Sequence, residues 1–98
     1  MNSSLISQQT EERIALLFPH EWQRALVRAA LSEQPFVSSS GEAGSERLQF
    51  AALKLSEGNL DKLNRAVALA KTDWRDLLMA AGFGEDIKAH LAWLPQRT

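Results

Sequence analysis

Asp73, Arg75 and Asp76 form the densest charged group in this chain, and His20 and His90 are its only histidines. Two carboxylates around an arginine could hold a cation or a guanidinium, or move a proton. The same positions also suit helix capping. Asp73 can accept backbone N–H groups, Asp76 sits at the positive end of the helix, and Arg75 can pair with either. Capping explains all three residues and their order. His20 beside Glu21 is a poor metal pair, and His90 with Asp86 at i,i+4 reads as a structural contact. No HxxxH or HExxH pattern or carboxylate ladder occurs.

Other chemistry finds still less support. The absence of cysteine removes disulfides, thiolate zinc sites and a cysteine nucleophile. There is no Gly-x-Ser-x-Gly elbow, and the serines cluster in loops and caps. Gly82-Phe83-Gly84 lacks the third glycine and the preceding strand of a phosphate loop. Neither a catalytic residue, a cofactor nor a metal site is expected.

The elements around these residues are legible as helices. Ninety-eight residues with a hydrophobic fraction of 45% fit one small domain. Residues 1–9 are polar and unpatterned and read as a disordered N-terminus, leaving a helical domain over 10–95. Thr10 is placed to cap a first helix carrying Ile14, Leu17 and Phe18, and Pro19 starts a second helix or kinks the first. From Pro19 to Ser32, Trp22, Ala25, Leu26, Ala29 and Ala30 share an apolar arc expected to face the core, with Glu21, Arg24 and Arg28 opposite. Gln34-Pro35 ends that stretch. Residues 38–45, rich in Ser and Gly, read as a flexible loop.

Ser45 is placed to cap a helix over 46–57, where Phe50 and Leu53 widen the Leu48/Ala51/Ala52/Leu55 face almost to a ring. The alternation Leu48-Phe50-Ala52 leaves a strand open. Gly58 stops this element and Asn59 caps a helix over 60–71, with Leu60, Leu63, Val67 and Ala70 in line and an Asp61–Arg65 pair outside. Trp74 to Ala81 forms the next helix, closed by Gly82. A last helix, opened by Glu85-Asp86 and closed by Pro95, aligns Ile87, Leu91 and Leu94. The expected fold is therefore an all-α, compact bundle of about five short helices.

The runs Leu48-Gln-Phe-Ala-Ala-Leu-Lys-Leu-Ser-Glu-Gly58 and Asp73-Trp-Arg-Asp-Leu-Leu-Met-Ala-Ala-Gly-Phe83 resemble a family of small bacterial proteins without an assigned activity. That family shows a Leu-rich helix ending in Gly, an Ala-rich helix, then Asp-(Trp/Tyr)-Arg-Asp-(Leu/Val)-Leu. The resemblance covers residues 45–93. It implies a compact, mostly helical bacterial domain and transfers no functional residue.

Charge excludes little by itself. Eleven basic residues face twelve acidic ones, with no basic stripe. A helix-turn-helix reading of 60–71 and 74–81 is the alternative function. It is opposed by Asp73 and Asp76 beside the lone Arg75, and by the apolar Trp74, Leu77, Leu78 and Ala81. No run of 18 apolar residues occurs and no signal peptide is evident, so the expected residence is cytoplasmic. By elimination the reading is a non-catalytic protein–protein interaction or regulatory module, with self-association as one form. Trp22 and Trp74 are assigned to the core. Phe50, Leu53, Trp93 and Arg75 are the candidate partner contacts.

Overall fold

A computed structural model describes residues 6–33, 36, 42–85 and 89–95 of the chain. It contains five α-helices, α1 (Gln8–Leu17), α2 (Glu21–Leu31), α3 (Glu42–Ser56), α4 (Leu60–Thr72) and α5 (Trp74–Ala81), followed by a short 3₁₀ turn (Ala89–Ala92). The described residues include no strand, so the stretch read as helix or strand is helical through Ser56 and the all-α expectation holds.

The architecture follows from α3. Phe50, Ala51, Ala52 and Leu53 point in different directions around this helix and are all fully buried. A helix apolar on every side must be enclosed. Helices α1, α4, α5 and the 3₁₀ turn pack around α3, while α2 lies outside against α1 and α4. Ile14, Phe18, Leu63, Leu77 and Phe83 close the core from the surrounding elements.

Several boundaries differ from the sequence reading. Helix α1 begins at Gln8, and its cap is Ser7, whose Oγ accepts from the Thr10 backbone N–H at 3.2 Å. Thr10 is instead buried in the helix, and its hydroxyl donates to Gln49 Oε1 at 3.1 Å. With Ile6 also buried, order starts before the expected residue 10. Residues 1–5 lie outside the described residues. Helix α3 starts at Glu42, so 42–45 belong to a helix and Ser45 is not its cap. Residues 38–41 of the expected loop lie outside the described residues.

Other signals read as expected. Phe18, held extended ahead of Pro19, ends α1. Asn59 Oδ1 accepts from the Lys62 N–H at 3.1 Å. Asp73 closes α4 and opens α5, its Oδ1 accepting from the Arg75 N–H at 3.0 Å. Gly82 ends α5 at φ 82°. Asp61 and Arg65 make no ion pair among the described residues. Lys62 pairs with Glu57 instead and lowers the Glu57 pKa.

Buried Gln49 joins three helices. It accepts from Thr10 of α1, and its Nε2 donates to the Leu31 carbonyl at the end of α2, 3.1 Å away. Replacing Gln49 by Leu leaves the Thr10 hydroxyl and the Leu31 carbonyl without this partner. The expected loss is about 1–3 kcal/mol of unfolding free energy, read by urea denaturation. Gly58 turns the chain at φ 78°, and a Cβ there would stand 2.9 Å from the Leu17 carbonyl oxygen. At Gly82 the nearest atom to an added Cβ is Lys54 Nζ, 3.7 Å away and in ordinary van der Waals contact. Gly82→Ala should cost about 1 kcal/mol for its left-handed backbone, and Gly58→Ala distinctly more. Equal midpoints for the two variants would contradict the clash.

Candidate interaction surface

The four residues nominated from sequence do not form one surface. Phe50 and Leu53 are fully buried, because the ring they complete on α3 is the centre of the core. As contacts for an outside partner they are corrected. Trp93 is half-buried, its ring tilted against Phe50 and Phe83 with centroids 6.3 and 6.4 Å away. His90 lies buried between the same two phenylalanines, at 5.2 and 6.2 Å. The expected last helix is a 3₁₀ turn that leaves Leu91 and Leu94 exposed, with Ile87 and Asp86 outside the described residues. Arg75 is exposed and lies 5.3 Å over the Trp74 ring. It makes no ion pair with Asp73 or Asp76 among the described residues. Phe50 and Leu53 share the buried core and Trp93 packs against it, whereas Arg75 is exposed on α5.

Polar groups hold this aromatic cluster as structure. The buried Arg13 guanidinium stacks 4.1 Å over Phe50 and donates through Nε to the Trp93 carbonyl at 3.1 Å and through Nη1 to the Gln9 carbonyl at 2.9 Å. Burial lowers its pKa, an effect opposed by Glu12 and Glu46. Arg47 donates to the Phe83 carbonyl at 2.6 Å, and Lys54 donates to the Ala81 carbonyl at 2.8 Å. Each cation is thereby committed to a carbonyl near a chain end or turn.

The surface that stands out is one the sequence reading had turned inward. Trp22 is 60% exposed and Leu26 54%, and Ala25 and Ala29 are exposed beside them. These four residues occupy positions i, i+3, i+4 and i+7 of α2. At 100° per residue their stripe lies about 170° from the buried Val27 and Leu31. Helix α2 is thus rotated from the expected orientation. Its arginines explain why. Arg24 donates to the Phe18 carbonyl at 2.8 Å and to the Pro19 carbonyl at 3.0 Å, satisfying the end of α1. Arg28 Nε reaches both carboxylate oxygens of Glu11 at 2.9 Å, and that hydrogen bonding raises the Arg28 pKa. The charged flank of α2 docks on α1 and turns the apolar arc to solvent.

Trp74 is also corrected. It shares the face of Leu77, Leu78 and Ala81 but stands at the first position of α5 and is 44% exposed. The grooves offer no comparable feature. Among the described residues, one groove between α3 and α4 mixes charged Lys54, Glu57, Lys62 and Arg65 with apolar Leu55, Ala66 and Leu69, and another is lined by Glu12, Ala15, Leu16, Arg24 and Leu94. Among the described residues no group of three or more His, Asp or Glu could hold a metal ion. No helix among them is long and apolar enough to cross a membrane. Comparison with family models, curated proteins and solved structures gave no match.

The α2 stripe was missed because periodicity reports that a helix has an apolar side, not which way it faces. The one available signal was Glu11, seventeen residues before Arg28. An outward stripe contributes little to folding. Trp22→Ser and Leu26→Ser should each change stability by under about 0.5 kcal/mol at low protein concentration, whereas Leu31→Ala should cost about 2–5 kcal/mol. Denaturation of the three variants separates an outward α2 from an inward one.

Proposed function

We propose that this chain is a non-catalytic protein–protein interaction module whose contact surface is the outward stripe of α2. The observation that carries this reading is the exposure of Trp22, Ala25, Leu26 and Ala29 as one continuous helical stripe. Large apolar residues grouped on a surface mark contact sites, whereas single exposed ones need no explanation. Tryptophan is also among the residues that most often dominate binding energy.

A regulatory role fits a module that binds and does no chemistry. Bacterial origin rests on the resemblance over residues 45–93, and cytoplasmic residence on the lack of an 18-residue apolar run, with which the lack of cysteine is compatible. Nucleic-acid binding is not favoured, since Asp73 and Asp76 flank exposed Arg75 at the α4–α5 corner.

A photo-crosslinking residue installed at Leu26 should give a discrete protein adduct in cells. The same residue at Asn64, exposed on α4, should give none. Failure of the Leu26 probe to form any adduct, in cells or with the concentrated purified protein, would remove the reading.

A further inference from the structure

The stripe of α2 is self-complementary in shape and in charge. On a helical wheel Trp22 and Ala29 lie near its midline, Ala25 on one side and Leu26 on the other. Glu21 and Arg28 follow one another along the Ala25 side, with opposite charges and a separation of seven positions. The Leu26 side carries the uncharged Gln23 and Ala30.

Two such helices can be laid antiparallel about a twofold axis passing between Ala25 and Leu26. Trp22 of each then covers Ala29 of the other, the largest side chain over one of the smallest. Leu26 meets Leu26 of the second copy, and Ala25 meets Ala25. On the flank, Glu21 falls about 3 Å along the axis from Arg28 of the second copy, from the helical rise alone. Symmetry makes the pair occur twice. Arg28 already holds Glu11 through Nε, and its Nη1 is 3.4 Å from Glu21 of its own chain. A second carboxylate would therefore extend an ion-pair network already in place. A parallel pairing loses these matches: it sets Trp22 on Trp22 at the midline and brings the Glu21/Arg28 flank against the uncharged Gln23/Ala30 flank of the second copy.

We propose that α2 is the twofold contact of a homodimer, packing antiparallel on α2 of a second copy of this chain. The proposal rests on the reading of the stripe as an interaction surface and names its occupant. One helix per copy makes a small interface, so the dimer forms in a concentration-dependent equilibrium with monomer.

Sedimentation velocity over a concentration series should show that equilibrium in the wild-type chain. Leu26→Glu sets two carboxylates against each other at the axis and should raise the dissociation constant at least about 100-fold. Asn64→Glu should leave it unchanged. Because the chain has no cysteine, single cysteines report the geometry directly. Ala25→Cys places two thiols beside the axis and should oxidise to a disulfide-linked dimer. Ala29→Cys separates them by about 10 Å along the helices, beyond disulfide reach, and should stay monomeric on denaturing gels. Cross-linking through Ala29→Cys as readily as through Ala25→Cys would overturn the antiparallel arrangement. A wild-type chain that stays monomeric at every concentration overturns the dimer. If the Leu26 photo-probe then captures a different protein in cells, the interaction reading stands and only the second copy is rejected; if it captures nothing, both fall.

Discussion

A helix turn that is apolar on every side cannot rest on the surface of a small protein, and the rest of this structure is arranged to enclose one in the middle of α3. Phe50, Ala51, Ala52 and Leu53 occupy different faces of α3, and all are removed from solvent. In a chain of 98 residues that demand uses nearly every other element. Helices α1, α4 and α5 and the C-terminal turn each supply one wall, which leaves α2 to lie outside on α1 and α4.

Enclosing α3 creates a second requirement, because surrounding it with short helices produces many ends. Each end leaves carbonyls or N–H groups to satisfy. Side chains meet a large part of that need. Arg24 takes the carbonyls at the α1–α2 junction, Gln49 that of Leu31, Lys54 that of Ala81, and Arg13 that of Trp93. Apart from those of Arg24, these contacts are long in sequence and short in space, and together they set the rotations of the helices. The orientation of α2 is the clearest case. Val27 and Leu31 alone form a narrow buried line, so the arginine contacts on α1 decide how the helix sits. Its remaining apolar residues then stay on the surface.

Local signals were legible because their physics is local. The caps at Asn59 and Asp73, the stop at Gly82 and the break before Pro19 each involve residues within one turn of one another. The near-ring on α3 is also visible in the sequence, but that Phe50 and Leu53 are the core itself and not surplus apolar surface follows only from their enclosure. Thr10 shows the limit of local reading. It has the chemistry of a cap, yet the chain needed its hydroxyl for Gln49, thirty-nine residues away. Ser7, equally able to cap, took that place.

The sequence alone determined the helices and most of their ends, since these depend on neighbours along the chain. Tertiary structure alone decided which side of α2 faces water, where Trp22, Trp74 and Trp93 reside, and hence where a contact surface can lie. The physical reason is that periodicity defines a side only relative to its own helix axis. The direction that side takes depends on partners such as Glu11 for Arg28, which the fold brings together and the order of residues does not reveal.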